Sequence, residues 1–135
     1  MDKQETQKKY LEFQTLNQQV KQLQDSLINL EQQLLELRKL EESLDGIKNT
    51  NINEEVLVLL GAGTYIKTKL VDNKKVLMNI GSDTLTPKNT NDSIKLVRLQ
   101  INELTEIYDK MNEEIKAHLS NLHKLHSDLQ KSNIE

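Results

Sequence analysis

Three histidines are the residues of this 135-residue chain whose type and spacing could support chemistry. His123 and His126 are three residues apart and would share one face of a helix, a spacing that metal ligands use. No cysteine or carboxylate completes a metal site around them. No Ser, Asp or Glu forms a recognisable catalytic group with a histidine, because the two helical arms predicted below would pair without forming a cleft. We therefore expect no metal site, no catalytic residues and no cofactor.

The glycines at first sight suggest a phosphate-binding loop. Gly61-Ala62-Gly63 is followed by strand-like residues instead of a helix, and neither GxGxxG nor GxxxxGK[ST] occurs. A hairpin turn is the better interpretation. The net charge is -3 with acids and bases interspersed, which leaves no basic stripe for a phosphate backbone. We expect neither a nucleotide nor a nucleic acid as a partner.

The composition favours long exposed helices over a compact globule. Hydrophobic residues make up 36% of the chain, charged residues 29% and aromatic residues only 3%, so each helix has material for one narrow apolar stripe. No cysteine is present, as a reducing interior permits. No signal peptide or run of about 18 apolar residues appears. These features predict a cytoplasmic protein without membrane contact, which gains its core by oligomerisation.

A first helical arm is predicted over about residues 3–46. Its apolar residues follow alternating steps of three and four, a pattern that keeps one side of a helix apolar through every turn and indicates a coiled coil. Gly46, followed by Asn49 and Asn51, is predicted to end the helix. The apolar seam, interrupted only at Glu41, consists of Phe13, Leu16, Val20, Leu23, Leu27, Leu30, Leu34, Leu37 and Leu44.

A second helical arm is predicted from Asp92 onward, with Thr90, Asn91 and Asp92 as candidates for its N-cap. His118 fills one slot of its seam and predicts a polar layer, and Glu41 opposite Val97 predicts another. The apolar seam of this arm consists of Ile94, Val97, Ile101, Leu104, Tyr108, Met111, Ile115, Leu122, Leu125 and Leu129.

The two arms are predicted to pair antiparallel, with partners whose residue numbers sum to about 138, such as Leu44 with Ile94. Registers shifted by one heptad satisfy the same apolar pattern. Past Phe13 we expect the pairing to fail, since Leu129 would face Lys9. A frayed end with exposed apolar groups could hold other apolar chains, although ordinary seam packing is the alternative for several of them. The residues expected to form this client-binding tip are Tyr10, Leu11, Phe13, Leu16, Leu119, Leu122, Leu125 and Leu129.

Between the arms lies a hub of two predicted β-hairpins. Residues 55–60 are a predicted strand that is continuously apolar after Glu55, and residues 64–71 are a second strand with alternating pattern. Residues 76–80 follow after Asp72-Asn73-Lys74, which we interpret as a polar hairpin turn. A short fourth strand, Thr84-Leu85-Thr86, is predicted to end at Pro87, which cannot donate to a ladder.

So small a sheet, roughly 30 residues, cannot cover its own apolar faces and edges in water. We expect strands from several subunits to pair and close into a barrel. The residues expected to carry assembly are Val56, Val58, Leu60, Tyr65, Ile66, Leu70, Val76, Met78, Ile80 and Leu85. The predicted fold is α+β, one structural domain with a helix in residues 1–48, the double hairpin in 52–88 and a helix in 92–135.

The order helix, double hairpin, helix, together with LVLLGAGTYIKTKLVDNKKVLMNIG from Leu57 to Gly81, resembles the α-type subunits of the prefoldin family, most closely those of archaea. Four strands between the helices favour the α type over the β type, which has a single hairpin. The likeness covers nearly the whole chain. One departure is Gly81-Ser82-Asp83, which lacks the later glycine of a second Gly-x-Gly that the family often has.

The resemblance implies an ATP-independent chaperone that holds non-native polypeptides at coiled-coil tips and passes them to a group II chaperonin. It further implies a hexamer of two α and four β subunits, so that the expected partners are β-type subunits, a second α copy, unfolded clients and the chaperonin. The alternative from another class is a structural coiled-coil adaptor that binds one defined folded protein.

Overall fold

A computed structural model describes residues 2–134, with side chains as far as Ser132. The order of elements confirms the predicted α+β class. None of the helices in the described part of the chain is long and apolar enough to cross a membrane. The elements are α1 (Lys3–Lys48), β1 (Glu55–Gly61), β2 (Thr64–Lys69), β3 (Lys75–Asn79), β4 (Leu85–Asn89) and α2 (Thr90–Ile134).

Internal contacts divide the chain into two compact units. The terminal unit contains Met1–Leu34 and Glu103–Glu135, and the central unit contains Leu35–Asn102. The sequence-based division into 1–48, 52–88 and 92–135 corresponds to the first helix, the strands and the second helix. Each of the two compact units instead combines parts of α1 and α2.

In the terminal unit, α1 and α2 pack antiparallel around a narrow apolar core. Val20, Ile115 and Leu122 are buried in it. The Tyr108 hydroxyl donates to Glu31 Oε1 over 2.9 Å, so the paired residue numbers sum close to the predicted value. The partly buried residues that pack against this core are Phe13, Leu16, Leu23 and Leu27.

The prediction that pairing fails beyond Phe13 is wrong. Lys9 Nζ lies 3.2 Å from Asp128 Oδ2, and the hydroxyls of Thr6 and Ser132 are 3.2 Å apart. Polar contacts therefore continue the pairing for two further turns after the apolar seam has ended. The predicted fraying followed from counting apolar layers alone.

The central unit has its own core, in which Leu44, Ile94 and Val97 are buried. Leu44 and Ile94 belong to one cluster, as the predicted register requires. Val76 of β3 packs against the same cluster, so the second hairpin is attached to the start of α2.

Glu41, the break in the seam of α1, forms an ion pair at the side of this core. Arg98 Nε donates to Glu41 Oε2 over 3.2 Å, and Arg98 Nη2 lies 3.6 Å from Asp45 Oδ2. The sequence predicted a polar layer opposite Val97, which is 1% exposed. The polar partner of Glu41 is instead the residue that follows Val97 in α2.

The end of α1 differs from the prediction. The helix continues through Gly46 to Lys48. Thr50 closes it, since its hydroxyl donates to the Gly46 carbonyl over 2.6 Å and its N–H donates to the Ile47 carbonyl over 3.2 Å. The Thr50 side chain therefore ends α1, where the sequence predicted that Gly46 would end it.

The start of α2 also differs. Asn89 Oδ1 accepts from the N–H of Asn91 over 2.8 Å and from that of Asp92 over 3.4 Å. Asn89 is therefore the N-cap. The predicted candidates Thr90, Asn91 and Asp92 lie in the first turn.

The strands form two separate antiparallel sheets, β1 with β2 and β3 with β4, which confirms the two predicted hairpins. Asp72-Asn73-Lys74 is not a hairpin turn, however, because β2 and β3 do not pair. Asp72 Oδ1 accepts from the N–H of Lys74 over 2.8 Å and from that of Lys75 over 3.3 Å. The segment is a local turn that joins one hairpin to the next.

Pro87 lies inside β4 and does not end it. Its Cα partner is Leu77. Thr90 N–H donates to the Lys74 carbonyl and Ile80 N–H to the Thr84 carbonyl, and since hydrogen-bonded pairs alternate with non-hydrogen-bonded pairs, Leu77 and Pro87 form a non-hydrogen-bonded pair. The proline nitrogen therefore points away from β3, and the ladder inside the hairpin loses nothing.

The two hairpin turns have the same backbone conformation with different residues. Ala62 and Gly63 have φ of 48° and 74°, and Ser82 and Asp83 have φ of 51° and 58°. Two successive positive φ values match a type I′ hairpin turn. The turn at Gly81-Ser82-Asp83 thus forms without the later glycine of a second Gly-x-Gly.

Asn73 and Thr90 connect the ends of both helices. Asn73 Nδ2 donates to the Thr50 carbonyl over 3.0 Å, and the Asn73 carbonyl accepts from the Thr90 hydroxyl over 3.1 Å. Thr90 is only 2% exposed. This buried junction connects the residue that closes α1 with the residue that begins α2.

Replacing Asp83 by glycine is expected to stabilise the chain by about 0.5–1 kcal/mol, because glycine adopts positive φ without the steric penalty of a Cβ. The measurement is urea unfolding followed by circular dichroism. As a control, Asp72→Gly removes the acceptor of two backbone N–H groups and is expected to destabilise. A lower unfolding midpoint for Asp83→Gly would contradict this account of the turn.

Replacing Thr90 by valine is expected to lower the free energy of unfolding by about 1 kcal/mol, because the hydrogen bond from the buried Thr90 side chain to the Asn73 carbonyl is lost at nearly constant side-chain volume. Thr84→Val is the control, since that exposed hydroxyl lies 3.5 Å from its acceptor. Equal effects of the two substitutions in the same unfolding assay would show that the junction contributes nothing specific.

Candidate functional site

An open groove lies on the terminal unit, where α1 begins and α2 ends. Its volume is about 420 Å³. The Phe13 and His126 rings face each other across it, with centroids 6.1 Å apart and planes tilted by 32°. The residues that line this terminal groove are Thr6, Gln7, Tyr10, Phe13, His126, Leu129 and Gln130.

The helix pairing that was not expected at this end is what shapes the groove. Lys9 with Asp128 and Thr6 with Ser132 hold the two helices together, so that Tyr10 and Phe13 of α1 line one groove with residues of α2. Tyr10 is 56% exposed. The groove presents aromatic and aliphatic surface with polar groups at its rim.

The eight residues predicted to form the tip divide into three groups. Tyr10, Phe13 and Leu129 line the terminal groove. Leu11 and Leu119 are exposed outside it, at 63% and 46%. Of the remaining three, Leu16 and Leu122 contribute to the core between the helices, and Leu125 is partly buried.

His126 lines the groove although the sequence did not predict a role for it there. It precedes Leu129 by three residues, so the two lie on one face of α2. The sequence considered His126 only together with His123, as a possible pair of metal ligands. Among residues 2–134, no three His, Asp or Glu side chains are close enough to hold a metal ion together.

His118 lies in the seam between α1 and α2, as predicted. Its Nδ1 atom is buried without a hydrogen-bond partner, and its Nε2 atom is 3.7 Å from Oε1 of Glu114, which lies on the preceding turn of α2. The imidazole thus forms a polar layer in the otherwise apolar seam, and one of its nitrogens has no hydrogen-bond partner. This polar layer belongs to the helix pair and is separate from the terminal groove.

Tyr108 forms a second polar contact across the seam. Its hydroxyl hydrogen bond to Glu31 raises the pKa of Tyr108 above the ordinary value of 10.0, and the negative charges of Glu31 and Asp109 act in the same direction. A carboxylate acceptor stabilises the protonated phenol and repels the phenolate.

The second candidate surface is formed by the hub strands of the central unit. One face of the β1–β2 hairpin carries Leu57, Leu59 and Tyr65, which are 57–64% exposed. The opposite face carries Val58 and Ile66, which are 42% and 46% exposed. A two-stranded sheet with apolar side chains on both faces is not stable alone in water.

The β3–β4 hairpin covers only one of its faces. Val76 packs against the helix core, and Met78 Sδ lies 3.6 Å from the Ser93 hydroxyl, which donates to it. On the other face, Leu77 is 64% exposed and Leu85 59% exposed. This hairpin therefore presents one apolar face outward.

The ten residues predicted to carry assembly all lie in or next to the strands, but they are not equally available. Val56, Leu70, Val76 and Met78 are partly buried within the chain. Three further leucines of the same strands, Leu57, Leu59 and Leu77, are also exposed. The predicted residues that are exposed are Val58, Leu60, Tyr65, Ile66, Ile80 and Leu85.

Comparison with known proteins supplies the relatives of this chain. A family model for prefoldin subunits matches residues 16–135. Prefoldin subunit alpha of Methanococcus aeolicus is 33% identical over 127 residues, which cover 94% of this chain and 83% of that protein. Prefoldin subunit alpha of Archaeoglobus fulgidus is 28% identical over 125 residues, which cover 93% of this chain and 91% of that protein.

The fold also matches a solved structure. A chain in the cryo-EM structure of filamentous PFD from Methanocaldococcus jannaschii superposes with a TM-score of 0.68 at 17% sequence identity. The match covers 85% of this chain and 95% of that one. At this identity the match bears on the fold alone.

Replacing Glu31 by glutamine is expected to lower the pKa of Tyr108, because the charged acceptor is lost. A raised pKa means that the contact contributes stability below pH 10, which is lost as the pH rises through the higher pKa of the folded chain. Absorbance titration in a Tyr10→Phe, Tyr65→Phe background isolates Tyr108. Glu12→Gln is the control, and an unchanged Tyr108 titration in Glu31→Gln would contradict the assignment.

Proposed function

The chain belongs to the prefoldin family, and we propose that it acts as an α-type chaperone subunit that holds non-native polypeptides without ATP. Its contribution is to binding and assembly, and we assign it no catalytic step. In the arrangement that the family resemblance implies, its partners are β-type subunits, a second α copy, unfolded clients and a group II chaperonin in the cytoplasm.

The observation that carries the proposal is the terminal groove. Non-native chains expose apolar side chains of no fixed sequence, and a holdase needs apolar surface that accepts many of them weakly. Tyr10, Phe13 and Leu129 provide such surface in an open groove, and Tyr10 offers it at low cost in side-chain entropy because its ring is rigid. Leu11 and Leu119 would add apolar contacts outside the groove.

Weak contacts suffice when several arms act on one client. A second contact made by a tethered arm is intramolecular, and the gain in overall affinity can reach about 10²–10⁴ without any new interaction. Assembly through the hub therefore determines client binding as much as the groove does. The exposed hub residues Leu57, Leu59 and Leu77 support an assembly in which neighbouring subunits cover them.

A structural adaptor is the competing function. It would bind one native protein at fixed stoichiometry and would ignore unfolded chains, whereas a holdase would do the reverse. An open groove suits the holdase, since a specific interface needs a packed and desolvated centre.

The double variant Tyr10→Ser, Leu129→Ser is expected to lose most of the ability of the assembled complex to suppress aggregation of a chemically denatured client, because the groove loses two of its apolar side chains. Light scattering at several complex-to-client ratios measures this. We expect a severalfold higher ratio for equal suppression.

The control is Leu99→Ser, Ile107→Ser, which removes two exposed apolar groups, 54% and 45%, from positions of α2 outside the groove. Mass measurement confirms that both variants assemble with a β-type partner. Equal suppression by the groove variant and the wild type would refute capture at the groove. Failure of the assembled wild type to suppress aggregation would refute the holdase function itself.

A further inference from the structure

A polar groove, the helix-end groove, lies on the central unit where α1 ends and α2 begins. It consists of two cavities of about 320 Å³ and 280 Å³, which adjoin because Lys48 and Asn91 line both. All of its lining residues belong to the central unit, so this groove is separate from the terminal groove. The other lining residues are Asn73, Lys74, Asn89 and Thr90 in the larger cavity and Asp45, Ile94, Lys95 and Arg98 in the smaller one.

The charge of the helix-end groove is opposite to that of the whole chain. The chain has a net charge of -3, whereas four basic side chains and one acidic side chain line the groove. The acidic one, Asp45, is paired with Arg98, whose Nη2 lies 3.6 Å from its Oδ2. Lys48, Lys74 and Lys95 form no ion pair with a carboxylate of the side chains that the structure describes. Three cations along the groove are therefore left without a counter-charge from this chain.

The three lysines come from different parts of the chain. Lys48 is the last residue of α1, Lys74 lies between the two hairpins, and Lys95 lies in the second turn of α2. The buried junction of Asn73 and Thr90 holds these parts together. The fold thus creates a basic groove from residues that form no basic run in the sequence.

The groove also presents a fixed donor and a free acceptor. Asn89 Oδ1 accepts from the N–H groups of Asn91 and Asp92, so its Nδ2 points away from them, and both hydrogens of Nδ2 are available to a ligand. Those two backbone N–H groups are used by the cap and are not part of the site. Asn73 Nδ2 donates to the Thr50 carbonyl, which leaves Asn73 Oδ1 as an acceptor.

We propose that the helix-end groove binds an acidic peptide segment in an extended conformation. Lysines placed along two adjoining cavities suit a ligand with several negative charges at intervals better than they suit a single ion. A peptide backbone has both N–H and C=O groups for Asn73 and Asn89, whereas a phosphate chain has only acceptors.

The lining of the helix-end groove also disfavours nucleic acid. None of the described residues that line it is aromatic, so nucleotide bases would have no surface on which to stack. The proposed site goes beyond the proposed function and does not depend on it. It adds a basic binding site for carboxylates to a chain whose terminal groove is apolar.

The triple variant Lys48→Gln, Lys74→Gln, Lys95→Gln tests the site. The probe is a fluorescently labelled peptide of alternating glutamate and serine, and fluorescence anisotropy gives its dissociation constant with the full-length chain. We expect the triple variant to bind about tenfold or more weakly than the wild type, because three charge contacts are lost. Binding by the wild type is expected to weaken as salt is raised to about 0.3 M.

The matched control is Lys21→Gln, Lys110→Gln, Lys116→Gln, which changes the net charge equally at exposed positions of the helices outside the groove. We expect its affinity to stay within about twofold of the wild type. Circular dichroism shows whether each variant keeps its fold. For a variant that unfolds, nuclear magnetic resonance of the wild type replaces the substitution: the peptide shifts the side-chain amide signals of Asn89 and Asn91 and leaves that of Asn29 unchanged.

Tripolyphosphate, an oligouridylate and the same peptide with glutamine in place of glutamate are measured beside the acidic peptide. Binding of any of these as tight as that of the acidic peptide overturns the assignment of the ligand. Equal weakening by the groove and control variants, shifts at Asn29 without shifts at Asn89 and Asn91, or no binding by the wild type overturns the site.

The same measurement on the complex with a β-type partner shows whether the groove stays open in the assembly. We expect the wild-type complex to bind the acidic peptide and the complex with the groove variant to bind it about tenfold more weakly. Binding by the free chain that is lost in the complex overturns the proposal. A complex that binds the peptide but fails to suppress aggregation refutes the holdase function and leaves this site intact.

Discussion

The central unit depends on one constraint, namely that its strands carry more apolar surface than the chain can cover. Leu57, Leu59, Leu77 and Leu85 are each 58–64% exposed. Full burial of a leucine is worth about 1.5–3 kcal/mol, so covering the exposed part of each would yield about 1 kcal/mol. A few such residues approach the total stability of a small domain, which is about 5–15 kcal/mol. The sequence of the hub is therefore adapted to an assembled state, and a free subunit would remain poorly stabilised and prone to edge pairing.

In the terminal unit, the constraint is the length of the apolar seam between the two helices. Val20, Ile115 and Leu122 provide its core, but the seam stops before the helices do. The Lys9 and Asp128 pair, 34% and 43% exposed, contributes little to stability in water. Its effect is positional, because it keeps the helices side by side where no apolar layer would. Apolar side chains at that end are consequently left for a groove, and this is the physical basis of the client binding that we propose there.

Sequence patterns predicted the parts of this structure that depend on periodicity. The steps of three and four predicted both helices and their register to within one heptad, and the apolar patterns between them predicted the strands. The failures occurred where single polar groups decide the outcome. Thr50 and not Gly46 closes α1, Asn89 and not Thr90 caps α2, and Lys9 with Asp128 continues a pairing that the apolar pattern had ended. Such contacts depend on which polar atoms the fold brings within about 3 Å, and a one-dimensional pattern does not contain that distance. The same limit explains why His126 was missed at the groove.

Pro87 shows how the position of a single residue in a strand decides what its missing N–H affects. The sequence alone predicted that it ends a strand, because proline cannot donate to a ladder. In the structure it faces Leu77 at a position where no donor is needed within the hairpin, so the missing N–H affects only the outside of the sheet. A proline one residue earlier or later would occupy an inward position and would remove a bond to β3. Its placement therefore preserves the hairpin and removes a donor only from the outer edge of β4.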